Sequence, residues 1–335
     1  ETGVNKSISI DLGTANILIY DKQKKKIVLN EPSVVAKDRK TGKLIAVGRE
    51  AREMLGKTPD SIEAIKPLQD GVIADIDSTK EMITYFIHKI YGNSLFKPEV
   101  MICVPIEVTS VERKALFDAV KGAKKIYIIE EGRAAIIGSG VNISQPEGSM
   151  VIDIGGGSTD IAILSLDEII ASKSIRIAGN RFDEDIVRYV KRKYNLLIGD
   201  RTAEKIKKEM ATALKVQSPE VMEIKGRDLE SGIPNTVEIN ANEIYEAIED
   251  SLFQIVNSTK EVLEKCPPEL AADILDNGIV MTGGGSLIKN FIDMMEKEVG
   301  IKVFLSPNPL DSVVLGGGVA FDNKKLLRTL QMREN

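Results

Sequence analysis

Ile8-Ser9-Ile10-Asp11-Leu12-Gly13-Thr14 and Val151-Ile152-Asp153-Ile154-Gly155-Gly156-Gly157-Ser158-Thr159 are two copies of one pattern. In each, an apolar β-branched run ends at an Asp and a turn of Gly and hydroxyl residues follows. A second apolar run, Ile17 to Tyr20 or Ile161 to Leu164, leaves the turn. Such runs on either side of a Gly-containing turn specify a strand–turn–strand unit. The repeat predicts a duplicated α/β fold with two halves facing each other.

The chemistry of the turns follows from their composition. Gly residues let backbone N–H groups approach an anion without side-chain obstruction. Gly13, Gly155, Gly156 and Gly157 supply that freedom, and the hydroxyls of Thr14, Ser158 and Thr159 add hydrogen bonds. Asp11 and Asp153 repel a phosphate, so their place before the turns makes sense with Mg²⁺ between, reached through water. Two facing turns of this kind form a clamp for a Mg-polyphosphate.

A third cluster, Thr282-Gly283-Gly284-Gly285-Ser286-Leu287, follows another strand and opens a helix. Two readings stay open: a bare surface for a flat ligand such as adenine, or a helix start that needs close packing. A fourth, Leu315-Gly316-Gly317-Gly318-Val319-Ala320, reads as close helix packing. Gly56-Lys57-Thr58 is no P-loop, because Ala51 stands where that loop needs its first glycine. Dinucleotide Gly-x-Gly-x-x-Gly spacing is also missing.

Composition narrows the classes further. The 335 residues are 43% hydrophobic and 28% charged, the balance of a globular chain long enough for two or more domains. Lys and Arg number 45 against 50 Asp and Glu, a net charge of −5. No global field attracts nucleic acid, and no direct nucleic-acid partner is expected, although a local basic patch remains open. Cys103, Cys266 and a single His88 leave no zinc site and no Ser-His or Cys-His pair unless His88 supplies the base. A reducing, cytoplasmic compartment fits. No uncharged apolar stretch approaches the ~20 residues of a membrane span, and no secretory signal opens the chain. The initial Glu1-Thr2-Gly3 reads as an added remnant.

Along the chain, Ile27 to Leu29, Ser33 to Ala36, Val100 to Val104 and Ile126 to Ile129 read as further strands. Ser78 to Tyr91 reads as a helix with Met82, Ile83, Phe86, Ile87 and Ile90 on its apolar stripe. Thr109 to Val120 is a helix capped by Ser110. From Asp183 the chain turns helical, with a helix starting at Asp200 or Thr202 and a long one capped by Asn242 that stops at Cys266-Pro267-Pro268. A hairpin is expected within Glu220 to Glu238, strands at Ile279 to Met281 and Ile301 to Leu305, and a final helix over Lys324 to Arg333.

Several further stretches carry a resemblance over essentially the whole chain. Asp11-Leu12-Gly13-Thr14-Ala15-Asn16, Asn30-Glu31-Pro32-Ser33-Val34-Val35-Ala36, Asp70-Gly71-Val72-Ile73-Ala74-Asp75, Arg201-Thr202-Ala203-Glu204, Pro267-Pro268-Glu269-Leu270 and Met281 to Leu287 resemble the bacterial actin MreB family. That family belongs to the actin, Hsp70 and sugar-kinase superfamily. The resemblance implies an actin-like fold with two duplicated αβ halves around a central nucleotide cleft. Its four subdomains would be IA (4–30, 76–145 and 315–335), IB (31–75), IIA (146–180 and 246–314) and IIB (181–245).

The same resemblance implies roles. ATP or ADP with Mg²⁺ would be held by Gly13, Thr14, Ala15, Asn16, Gly155 to Thr159 and Gly179, with Asn180 beside it. Glu204 and Lys207, three apart on one helix face, would reach the ribose and base, or form an intrahelical ion pair. Gly283, Gly284, Gly285 and Ser286 would take the adenosine. Glu131, in Glu130-Glu131-Gly132-Arg133, and Ser158 would position and activate the attacking water. Ser158 stands where the family usually has Thr, and Gly132 where it usually has Pro, which implies a slower rate. Leu95 and Phe96 match a membrane-inserting loop. The implied protein polymerises into filaments, hydrolyses ATP with assembly and organises cell shape from the inner face of the cell membrane, with membrane adaptors and cell-shape proteins as further partners. Weaker alternatives are a plasmid-segregating actin, an Hsp70-like chaperone, for which the chain leaves no substrate domain, and a small-molecule kinase.

Overall fold

A computed structural model describes residues 6–92 and 97–332. Leu95 and Phe96 lie outside the described residues. The chain forms two compact units: Glu1–Pro146 with Leu164–Ile169 and Leu310–Asn335, and Glu147–Ile163 with Ile170–Pro309.

The first unit is built on a five-stranded sheet in the order Lys125–Glu130, Glu99–Val104, Ser7–Leu12, Asn16–Asp21, Lys26–Pro32. Ser7–Leu12 runs parallel to Glu99–Val104, which runs parallel to Lys125–Glu130, while the first hairpin is antiparallel. The unbroken apolar run Val100–Val104 is buried throughout, as an interior parallel strand covered on both faces must be. Met82, Ile83 and Phe86 of the Ile76–Tyr91 helix are fully buried in the same core as Ile8, Ile10 and Ile17. A small sheet, Val35–Asp38 between Leu44–Val47 and Ile62–Ile65, has its own core of Val34, Ala36, Ala46 and Ala51. The short hairpin Leu68–Gln69 and Val72–Ile73 turns on Asp70 and Gly71, both at positive φ (50° and 76°), the conformation its two-residue loop requires.

The second unit repeats the plan. Its sheet runs Glu168–Ile175, Thr159–Ser165, Ser149–Ile154, Ile279–Thr282, Val303–Leu305, matching the first strand for strand about the central hairpin. The helices Gly179–Tyr194, Asp200–Met210 and Ala241–Glu264 bury Phe182, Ile186, Ile206, Ile244, Ile248 and Leu252 in one core. Residues 221–240 form the expected hairpin, which completes a three-stranded sheet with Leu196–Leu197.

Three local expectations are corrected. The Ser110–Ala119 helix is capped by Thr109, whose side chain accepts from Glu112 N while the Glu112 carboxylate accepts from Thr109 N. The Ala241–Glu264 helix is likewise capped by Asn240 with Glu243. In both cases the reciprocal box with a Glu three residues on selects the earlier residue, and Asn242 instead binds Val216 through both ends of its amide. The helical stretch expected from Asp183 begins at Gly179.

Candidate functional site

The first turn is held from several sides. A Cβ on Gly13 would lie 2.6 Å from Asn16 O, so only glycine fits there. Ser33 Oγ donates to Gly13 O at 2.7 Å and Ser33 N donates to Ala15 O at 3.0 Å. Thr14 is buried, and its Oγ1 accepts from Gly71 N at 3.1 Å, which ties the turn to the Asp70-Gly71 hairpin. Ala15 is exposed and Asn16 half-buried.

Asp11 pairs in register with Cys103, and Cys103 with Ile129, so Asp11 and the start of the Glu131–Gly138 helix share the carboxyl end of the parallel strands. Ligands of open α/β sheets gather at that edge. Glu131 is the first residue of its helix and half-buried; Arg133, buried beside it, pairs with Glu130 at 3.2 Å. The helix is set by close backbone contact. A Cβ on Gly316 would stand 1.7 Å from Ala134 O, and one on Gly138 1.7 Å from Ser312 O. Gly316 of the fourth glycine cluster therefore packs helix on helix, as expected, while Gly317 and Gly318 meet the strand residues Ser9 and Tyr20.

Asp11 is half-buried, and its carboxyl is pushed up to about 7, first by burial and then by the Asp311 carboxylate. Burial raises Asp311 as well. Two carboxyls that disfavour each other's charge suit a cation, and carboxylate with water is the donor set Mg²⁺ takes. Among the described residues no group of three His, Cys, Asp or Glu side chains gathers closely enough to hold a metal directly. The residues therefore fit a hydrated ion better than a fully protein-ligated one.

The second turn closes through Gly155 N to Ser158 O at 3.0 Å. The Gly179–Tyr194 helix docks on it, with Gly179 N donating to Gly155 O at 3.0 Å and Asn180 N to Gly156 O at 2.7 Å. Ser158 is half-buried, and among the described residues its hydroxyl takes no partner. Thr159 differs from expectation: fully buried, it donates its hydroxyl to Ile177 O at 2.6 Å. Asp153 is buried and aligned with Thr282 of the neighbouring strand.

The Gly283-Gly284-Gly285 cluster divides. Gly283 sits at φ 83°, where a Cβ would meet Ile154 O at 2.3 Å and Asp153 Oδ1 at 2.6 Å. One on Gly285 would meet Ile154 Cγ2 at 2.2 Å. Both serve close approach to the strand that carries Asp153, and Ser286 Oγ donates inward to Gly283 O at 2.6 Å. Gly284 alone of the three is exposed.

Lys207 Nζ donates to Gly179 O at 3.0 Å and to Asp183 Oδ2 at 3.0 Å, placing its ammonium beside the second turn. Glu204 pairs with Lys208 at 2.6 Å, the i,i+4 neighbour. Burial pushes the Asp183 carboxyl up to about 6 against the pull of Lys207. Asp183, Asp311, Ser33 and Gly71 were missed in the sequence. Asp183, four residues after Gly179 on the same helix face, carried the one usable signal.

Each unit thus presents a Gly turn and an Asp at the carboxyl edge of an equivalent sheet. Among solved structures the chain is similar to MreB5 of Spiroplasma citri bound to ADP: TM-score 0.90 and 38% identity, over 97% of this chain and 98% of that one. The same protein bound to AMPPNP gives 0.90 and 38%, over 98% and 100%. It also resembles the MamK double helical filament at TM-score 0.80 and 21% identity, over 95% and 99%, a likeness of fold alone. The fold is actin-like. Residues 5–329 match the family model "MreB/Mbl protein", and the cell shape-determining protein Mbl of Bacillus subtilis (strain 168) is 50% identical over 321 residues, 95% of this chain and 96% of that protein. The chain belongs to the MreB/Mbl family of actin homologues.

Proposed function

We propose that this chain is an actin-like ATPase that polymerises into filaments and helps to organise cell shape at the inner face of the membrane. The observation that carries the reading is the repeated turn: the same strand, Asp and glycine turn at the same position of two equivalent sheets. Spiroplasma citri MreB5, with the same fold, is known bound to ADP and to AMPPNP.

In this reading the backbone N–H groups of Gly13 to Asn16 and of Gly156 to Ser158 bind the phosphates of ATP, with Gly155 closing the second turn. Asp11 and Asp153 are the residues that would hold Mg²⁺ through water, and the ion would supply neutralisation of phosphate charge. Glu131 accepts the proton of the attacking water, and the Ser158 hydroxyl orients that water. Lys207 and Glu204 bind the ribose and base, and the exposed face at Gly284 takes the adenine. The subdomain division IA, IB, IIA and IIB given above is the matching proposal for domain organisation. Leu95 and Phe96 are the proposed membrane contact. MamK, of like fold, forms a double helical filament, which supports self-association. No described helix is long and apolar enough to cross a membrane, so membrane contact is proposed as peripheral.

The test follows phosphate release and pelletable polymer together, with Mg-ATP, for the parent and Glu131→Ala. Assembly in both, with release lowered on the order of 100-fold in the variant, is expected. Hydrolysis by the parent at every protein concentration without polymer overturns the filament reading. Equal release by the variant overturns the role of Glu131.

A further inference from the structure

The turn Asp21-Lys22-Gln23-Lys24-Lys25-Lys26 joins the second and third strands of the first sheet and has no part in the site above. Lys22 is paired with Asp322 at 2.5 Å. Among the described residues Lys24, Lys25 and Lys26 have no carboxylate within ion-pair distance. Lys25 sits at φ 51°, a left-handed conformation that Gly, Asn or Asp adopts more readily.

Beside the turn lies a surface pocket of about 390 Å³. Lys24 and Lys26 line it with Lys89 from the last turn of the Ile76–Tyr91 helix, together with apolar residues that include Ile27 and Ile90, and among the described residues no acidic one lines it. Tyr91 fixes the edge. Its ring lies 5.5 Å from Lys6 Nζ and 5.8 Å from Lys24 Nζ, and its hydroxyl donates to Asp21 Oδ2 at 3.0 Å. Asp21 is buried and also accepts from Lys24 N at 3.0 Å, so its carboxylate shapes the turn. Lys89 reaches Glu31 only at 3.9 Å and stays 54% exposed.

We propose that this pocket binds the headgroup of an acidic phospholipid, with Lys24, Lys26 and Lys89 around the phosphate and the apolar floor beneath the glycerol. Ammonium groups above an apolar floor match an amphiphile with an anionic head. A free phosphate would use the rim and leave the floor bare, whereas a nucleic acid would need a longer basic track. The proposal rests on the membrane reading above and adds to it a charge-selective site. The chain reaches Leu95 four residues after Tyr91, but the pocket does not include it.

The experiment is co-sedimentation of the full chain with vesicles of phosphatidylcholine alone and of phosphatidylcholine mixed with phosphatidylglycerol. The pocket variant is Lys24→Gln/Lys26→Gln/Lys89→Gln. The control, Lys225→Gln/Lys265→Gln/Lys297→Gln, removes the same charge at exposed lysines of the second unit. Thermal melts check that both fold as the parent does. Binding to the mixed vesicles is expected to fall on the order of 100-fold in the pocket variant and less than about threefold in the control. If the parent binds neither vesicle, the membrane reading falls and the pocket proposal with it. If the parent binds and the pocket variant binds equally well, or the control loses as much, only the pocket proposal falls. Pocket-dependent binding of inorganic phosphate, with no pocket-dependent binding to the mixed vesicles, would identify a free-anion site. Pocket-dependent binding of an oligonucleotide without vesicle binding would identify a nucleic-acid site. Either result overturns the lipid assignment.

Discussion

Gly316→Ala tests whether backbone contact between two helices sets the edge of the first unit that carries Glu131. The added Cβ would stand 1.7 Å from Ala134 O and 2.8 Å from Gly138 N. A carbon tolerates an oxygen at about 3.3 Å, so the helices must part by roughly 1.5 Å. The obstructing atom is a helical carbonyl with no rotamer to escape into. The cost therefore belongs at the upper end of overpacking, about 3 kcal/mol or more. In a unit of this size that lowers Tm by roughly 6 to 12 °C. The displaced helix begins with Glu131, the proposed base, and for a group in that role a shift of about 1 Å costs on the order of 100-fold in rate. Phosphate release well below the melting transition should therefore fall far more than nucleotide affinity. Gly122→Ala is the control, because a Cβ there meets nothing within 4 Å. Scanning calorimetry and single-turnover phosphate release read the two effects. A Gly316→Ala melt within about 2 °C of the parent, or no difference from the control, refutes the reasoning.

Asp11 gives a pH dependence. With its carboxyl raised to about 7 in the fold, its contribution to stability is fully present below about pH 4 and lost as pH rises through 7. The nucleotide-free protein should melt lower across that window, and Asp11→Asn should flatten the slope; an unchanged slope in the variant argues against it. Lys207→Met removes the ammonium that Gly179 O and Asp183 accept from, and nucleotide affinity, read by fluorescent-ATP titration, should fall about tenfold. Equal affinity would separate Lys207 from the site. Thr14→Val leaves Gly71 N without its acceptor at 3.1 Å, so the Gly71 amide should exchange about tenfold faster, whereas Thr14→Ser should not change it. Slow exchange in Thr14→Val would show that the bond does not hold the hairpin.

The hairpins were legible because their chemistry is local: β-branched residues, a terminal Asp and glycines lie within one short stretch. The caps were legible only in part. Ser110 and Asn242 are good cap residues, as are Thr109 and Asn240, and the choice rests on a Glu three residues on. What binds the turns was not legible. Ser33 reaches Gly13, Gly71 reaches Thr14 and Asp311 faces Asp11 through tertiary folding, and no spacing rule joins those positions. The Gly283 cluster held two readings in the sequence, and the structure assigns them to different residues. Gly283 and Gly285 meet Ile154, while Gly284 stays bare.

The same distinction explains why three consecutive glycines recur in the Ser312–Ala320 helix, where helix propensity argues against them. Each would meet a different element if it carried a Cβ: Gly316 the Ala134 carbonyl, Gly317 the Ser9 hydroxyl at 2.1 Å, and Gly318 the Tyr20 ring at 2.6 Å. One helix therefore rests at once on the helix that starts at Glu131 and on both strands of the hairpin that carries Asp11 and Thr14. The Gly316 contact is with a backbone carbonyl and hardly yields, because no side-chain rotamer can absorb a displacement, while the Gly317 and Gly318 contacts are with side chains and add a softer constraint. The spacing between the first turn and Glu131 is consequently fixed by this helix, so the loss of propensity at three positions is offset by a rigid support for both. Substitution of Gly316, which meets backbone, should therefore disturb Glu131 more than substitution of Gly317 or Gly318, which meet side chains, whereas exposed charges such as Lys225 can change without effect on the turn or on Glu131.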